Sequence, residues 1–329
     1  MFANIKSEYL LQVIFKQFLY EKKFLLIILY NKTLQSRLNL SINNYKKYYY
    51  KIEIELIPTS TLIGAKNYFI NRLDNKKDYY HIYFNNDKKE IKRRYITQDD
   101  KVYKIEIIID EEIDSFKELF FGCDCIKEII FIKFNRNNIS NMSSMFEECS
   151  LLDKLNISKI KTDNVNDMQT MFRGCINLKE IDLSQFNTGR VENLKSMFYE
   201  CVNLKFLNIS NFDTSKVKNM SYMFYECKSL KELNIKNFNT TNIRDMTAMF
   251  YGCSSLEELD VSKFYIGNET KMSFMFYGCT SLINLNISNF QINEETEIES
   301  MFSRCSEELK KIVRNQNKNL SEGAFREYI

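Results

Sequence analysis

A chain of 329 residues with 44% hydrophobic side chains can bury a real core, which excludes a disordered polypeptide. The net charge of +3 hides an asymmetry: residues 1–110 carry 20 Lys+Arg against 12 Asp+Glu, the remainder 26 against 31. The acidic balance of the longer part excludes an extended nucleic-acid track, and a single histidine, His81, leaves Ser-His-Asp or Cys-His catalysis one candidate base.

In chain order the first predicted element is helical. Across residues 5–48, Leu10, Leu11, Ile14, Phe15 and Phe18 recur at amphipathic spacing. The longest clean apolar run, Phe24 to Tyr30, follows Glu-Lys-Lys and fits neither a signal peptide nor a membrane span. The expected compartment is therefore intracellular and reducing, with the nine cysteines as free thiols. The stretch SEYLLQVIFKQF followed by LLIILYNKTLQSRLNL loosely resembles an F-box, without that motif's leading proline and its tryptophan. That resemblance implies an adaptor whose residues 1–48 bind a ubiquitin-ligase core. The plain alternative is a packing cap.

Residues 49–112 read as β-rich. The runs YYKIEIELI (49–57), YYHIYF (79–84) and VYKIEIIID (102–110) alternate with period 2 between Asn/Lys/Asp-rich turns. They lead into the next region and are expected to cover its first edge, because an open ladder exposes unpaired backbone. Lys92-Arg93-Arg94 is a short basic cluster within this segment.

From residue 113 to 305 a repeat takes over. Cys123, Cys149, Cys175, Cys201, Cys227, Cys253, Cys279 and Cys305 fall 26 residues apart, and a fixed period of this size means one supersecondary unit stacked on copies of itself. Counting from the cysteine of one unit, Leu204, Leu207, Ile209, Phe212, Val217, Met220, Met223 and Phe224 are its apolar positions. Leu207-x-Ile209 has the period of a short strand with one buried face. Val217, Met220, Phe224 and Cys227 sit at spacings of 3, 4 and 3, which predicts a helical or 3-10 turn with Thr214 or Ser215 as its N-cap. The first unit is degenerate (Ile113, Phe116, Leu119-Phe120, Cys123), and in the sixth Glu269 stands where valine belongs.

One strand and one short helical segment per unit give the leucine-rich-repeat build. The motif MF-[YR]-[GE]-C-x-x-L-x-x-L-[ND]-[IVL]-S-x-F-x-T-x-x-V-x-x-M resembles the repeat of BspA-like leucine-rich-repeat surface proteins over about residues 113–305. The resemblance implies a right-handed solenoid of about eight units with a parallel strand ladder, used for adhesion or protein interaction, and a cell-surface location as the alternative to an intracellular one. The expected fold class is α/β: a helical element (1–48), a β-rich segment (49–112), the solenoid (113–305) and a helical cap (306–329), where SEELKKIVRNQ breaks the pattern.

The cysteine column is expected to fill a tight core slot as a small hydrophobe. Side chains in one slot point in parallel, which suits neither disulfides nor a metal ion needing convergent ligands; Cys123 and Cys125 are the one close pair. No cofactor is expected.

By strand alternation the position seven residues after each cysteine faces outward. It holds Asn156, Asp182, Asn208, Asn234, Asp260 and Asn286, and two residues further stand Ser158, Ser184, Ser210, Lys236, Ser262 and Ser288. This polar stripe is the candidate binding face for a protein partner. Its structural alternative is amide stacking along the ladder or turn capping. The Asn-Ile-Ser triplets at Asn156, Asn208 and Asn286 match a glycosylation pattern as a by-product of the repeat. With no phosphate-binding glycine loop, and with carboxylate pairs such as Glu257-Glu258 on the solvated side, the expected function is a non-enzymatic interaction scaffold.

Overall fold

A computed structural model describes residues 7, 31–38, 50–60, 62, 64–71, 79–267 and 269–327. Of the expected N-terminal helices, α1 (Lys32–Leu38) is among them; the rest of the F-box-like stretch lies outside the described residues. The three period-2 runs form strands β1 (Ile52–Pro58), β3 (Tyr80–Phe84) and β5 (Ile105–Ile109), each burying every second side chain. Between them lie the short strands β2 (Asn67–Tyr68) and β4 (Tyr95–Ile96), which pair antiparallel.

The N-terminal strands join the repeat through one sheet. Strand β6 (Ile126–Lys133) belongs to the first unit and pairs antiparallel with β1 on one edge and parallel with β7 (Lys154–Asn156) on the other. The order is β3-β5-β1-β6-β7, so β1 occupies the edge that β6 would otherwise present to solvent. Beyond β7 the expected strand ladder is interrupted. Strands β8 (Glu180–Asp182) and β9 (Phe206–Asn208) pair, as do β10 (Glu258–Leu259) and β11 (Asn284–Leu285), but Leu233 and its neighbours form no strand.

The continuous parallel register runs elsewhere. Ser115, Asn141, Asp167, Asn193, Asn219, Asp245, Lys271 and Glu297, each 26 residues from the next, are joined by successive parallel bridges. The segment that follows each of them was expected to be helical or 3-10, and it is neither. Tyr222 and Glu226 have φ of 58° and 59°, and the same two slots are left-handed in the neighbouring units, as at Ser196, Glu200, Ala248 and Gly252. With two left-handed residues four positions apart in each unit, alternate N–H groups turn out of the coil. Met220, Tyr222, Phe224 and Glu226 donate to Asp245, Thr247, Met249 and Tyr251 of the following unit at 2.7–2.9 Å, while Met223, Tyr225 and Cys227 donate to carbonyls three residues back. A helix would have satisfied these donors internally; here four of the seven tie one unit to the next. Thr214 does not cap a helix either. Its hydroxyl donates to the Asn239 carbonyl at 2.9 Å and accepts from the Asn239 N–H at 2.7 Å, a bridge repeated by Thr162, Thr188 and Thr240.

The core is a set of columns. Phe120, Phe146, Phe172, Phe198, Phe224, Phe250, Phe276 and Phe302 stack with centroids 5.5–5.7 Å apart, each buried. Phe325, from the chain after helix α2 (Glu307–Gln316), closes the stack at 5.8 Å. Ser306 caps α2 by accepting from the Leu309 N–H.

Candidate interaction face

All nine cysteines are free and buried. Each of seven repeat thiols also donates across the stack: Cys227 Sγ–H reaches the Phe198 carbonyl at 3.2 Å and Cys253 that of Phe224 at 3.1 Å, with Cys149, Cys175, Cys201, Cys279 and Cys305 doing the same. The slot therefore needs a small group with a donor, which the hydrophobe reading missed. Burial pushes these thiols up, those of Cys125, Cys253 and Cys305 to about 12. Thiols held in this protonated form are poor nucleophiles and poor metal ligands. Among the described residues no His/Cys/Asp/Glu group could hold a metal ion.

His81 is held between two carboxylates, Nδ1 at 2.9 Å from Glu90 and Nε2 at 3.2 Å from Asp110, a clamp within the N-terminal sheet. The basic cluster beside it is also engaged. Lys92 pairs with Glu90, Arg93 with Asp100, and the buried Arg94 lies over the Tyr80 ring. Donation from Lys92 holds the Glu90 carboxyl below its ordinary value, as donation from Arg93 brings Asp100 down to about 2.

The six Asn and Asp of the predicted stripe lie exposed or half-buried on one face of consecutive units. Each turns its side-chain oxygen onto its own coil, the arrangement of an Asx turn. Asn156 accepts from the Ser158 hydroxyl at 2.8 Å, Asn208 from Ser210 at 3.0 Å and Asn286 from Ser288 at 2.7 Å. Asp182 accepts from the Ser184 N–H at 2.9 Å, Asn234 from Lys236 at 3.4 Å and Asp260 from the Ser262 hydroxyl at 2.6 Å. These bonds end the strands, because the N–H two residues on is committed to a side chain rather than to the next unit. Donation from the Ser184 N–H holds the Asp182 carboxyl below its usual value; the Ser262 hydroxyl does the same for Asp260.

The face is concave. A groove of about 1300 Å³ crosses four units and includes Asn208, Asn234, Asp260 and Asn286 of the stripe. Sequence reasoning missed the parallel column two residues earlier, Glu128, Lys154, Glu180, Phe206, Glu232, Glu258 and Asn284, although the same alternation points it outward. Phe206 in that column is 56% exposed.

A second column also escaped the sequence reading. Tyr199, Tyr225, Tyr251 and Tyr277 stack at 4.4–4.5 Å with nearly parallel rings, and Arg173 and Arg304 lie over the two end rings. The recurring tyrosine in MFYEC and MFYGC was the available signal. Both ends of the stack carry a guanidinium, so its ring faces are used internally.

No helix among the described residues is long and apolar enough to cross a membrane. The family described as "Mycoplasma protein of unknown function, DUF285" matches residues 114–208 and 202–315. No curated protein matches the chain. Among solved structures it is similar to the leucine-rich repeat protein TpLRR of T. pallidum, at 17% identity over 61% of this chain and 75% of that one, with a TM-score of 0.29. It is likewise similar to a leucine-rich repeat protein from Bacteroides ovatus, at 19% identity over 62% and 70%, with a TM-score of 0.21. At these scores the architecture rests on the chain's own hydrogen bonds.

Proposed function

Starting from a chain that belongs to the DUF285 family, we propose that it is a non-enzymatic scaffold that binds another protein on the outward strand face of its repeats. In this reading residues 113–305 form a right-handed solenoid of eight leucine-rich-repeat-type units, related to the BspA-like repeat. Residues 1–48 and 49–112 precede it, the β-rich segment capping its first edge, and 306–329 cap the other end. The observation that carries the reading is the groove. It crosses four consecutive units, and it lies on the columns that the repeat places outward. Extended faces of this kind are what stacked repeats offer a partner.

The test is affinity capture with the pair Asn208→Arg and Asn234→Arg, against Glu294→Arg and Glu295→Arg as a control on exposed residues outside the groove. A partner retained by the wild type and the control but lost by the groove pair supports the reading. If every partner survives the groove pair while its thermal unfolding is unchanged, the face is not the site.

A further inference from the structure

The tyrosine column carries a chemistry that the binding face does not use. Tyr199, Tyr225, Tyr251 and Tyr277 follow the unit spacing, with centroids 4.4–4.5 Å apart and ring planes within 12° of parallel. The phenylalanine column of the same units is looser, at 5.5–5.7 Å. Tyr68 with Tyr95, Tyr199 with Tyr222 and Tyr222 with Tyr225 stand at 5.8–6.5 Å with their rings tilted by 55–58°. A phenyl ring would stack as well as a phenol, so the hydroxyls are what the tyrosines add. Tyr199, Tyr225 and Tyr251 are half-buried and open to small solutes, whereas Tyr277 is buried. The hydroxyls of Tyr225 and Tyr251 meet each other, and the Glu226 carboxylate lies beside Tyr225. Arg173 and Arg304 cover the two end rings, and a guanidinium over a ring opposes the removal of an electron from it. The two inner rings, Tyr225 and Tyr251, are therefore the easier ones to oxidise.

We infer that this column is a modification site, at which a one-electron oxidant joins Tyr225 to Tyr251 as dityrosine within one chain. The oxidant comes from outside the chain and belongs to the peroxidase or inorganic-radical class. Each phenol gives one electron to it and its hydroxyl proton to water or to a neighbouring carboxylate. That leaves a phenoxyl radical with spin on the carbons ortho to oxygen. The two radicals form one C–C bond between ortho carbons, and each ring then moves the hydrogen of the joined carbon onto its own oxygen. Both hydroxyls are restored, and the pair has lost two electrons and two protons. With persulfate as the oxidant, one ion accepts both electrons and leaves as two sulfate ions. Free tyrosyl radicals couple only when two scarce species meet, whereas here the fold holds the partners in contact, which makes the step effectively unimolecular. The bond ties one unit of the repeat covalently to the next.

The experiment illuminates the full chain, at low concentration, with persulfate, and locates dityrosine by its fluorescence and by mass spectrometry of proteolytic peptides. The inference predicts a Tyr225–Tyr251 bond in a chain that still runs as a monomer on a denaturing gel. Tyr225→Phe with Tyr251→Phe keeps the ring stack, so its thermal unfolding should match the wild type. Its dityrosine yield should fall about tenfold or more, although Tyr199 and Tyr222 remain 6.5 Å apart. Tyr251→Phe alone, expected to leave Tyr199–Tyr225 as the one bond in the column, gives a second reading should the pair disturb the fold. Wild-type chain unfolded in urea before illumination should lose the Tyr225–Tyr251 bond. Dityrosine located mainly elsewhere or between chains, or undiminished by the phenylalanine pair, would overturn the inference. So would an equal yield of this bond from folded and unfolded chain, because the stack would then contribute nothing.

Discussion

At the residue scale the repeat is governed by two left-handed slots per unit, one before the Met-Phe pair and one before the cysteine. Most occupants are not glycine, although a left-handed residue with a Cβ costs roughly 1–2 kcal/mol. The inter-unit hydrogen bonds that these residues aim offset that cost. Gly252 has a further reason to be glycine. A Cβ there would lie 2.5 Å from the Glu226 carboxylate, which folds over it, whereas at Gly278 the nearest atom is 3.7 Å away. Gly252→Ala is therefore expected to destabilise more than Gly278→Ala. Adding Glu226→Ala should recover the difference in a double-mutant cycle read by urea unfolding, and equal effects of the two alanines would refute the steric account. In the phenylalanine stack, Phe224→Ala should cost about 3–5 kcal/mol, the usual range for a buried ring.

The buried thiols give a pH signature. In the folded chain Cys253 and Cys305 keep their protons to about 12, whereas an unfolded thiol loses its proton near the ordinary value of 9.0. Above that ordinary value the unfolded state binds fewer protons than the folded one, so stability falls as pH rises. Calorimetry should show a Tm that is flat from neutrality to about pH 9 and drops beyond it, more gently in Cys227→Ala, whose own thiol is raised by burial. A Tm level to about pH 11 would contradict this.

At the scale of elements, the two ends of the repeat are closed by different means. Strand β1 pairs with β6 at the first unit, and α2 with the following turn brings Phe325 onto Phe302 at the last. Ser306→Ala should cost about 1 kcal/mol through the lost cap, measured as a shift in denaturation midpoint. The turn segment is where the sequence misleads. Spacings of 3, 4 and 3 at Val217, Met220, Phe224 and Cys227 suit a helix, yet a coil broken by two left-handed residues buries the same side chains. What separates the two is where the N–H groups go, and the acceptors of Met220 and Tyr222 lie in the following unit, beyond any local spacing. The glycines before Cys123, Cys175, Cys253 and Cys279 were a local hint of positive φ. The stripe was legible because strand alternation fixes which side chains face out. Asn-Ile-Ser also encodes the Asx turn directly, in the spacing of an acceptor and a hydroxyl two residues apart. Phe206 and the glutamates around it obey the same alternation, but their column varies in residue type and so does not announce itself as a repeat.

For the whole molecule the period sets everything else: the phenylalanine, cysteine, threonine and tyrosine columns and the outward groove keep one phase from unit to unit. In such an array each unit contacts only its neighbours, so stability is close to a sum of unit and interface contributions. The most direct measurement is equilibrium unfolding of two insertion variants, one that duplicates residues 202–227, a complete unit, and one that duplicates residues 202–214, half of one. The proposed solenoid predicts that the full-unit insertion unfolds cooperatively with stability equal to or above the parent, and that the half-unit insertion loses the cooperative transition. Equal damage from both insertions, or a half-unit insertion as stable as the parent, would contradict it.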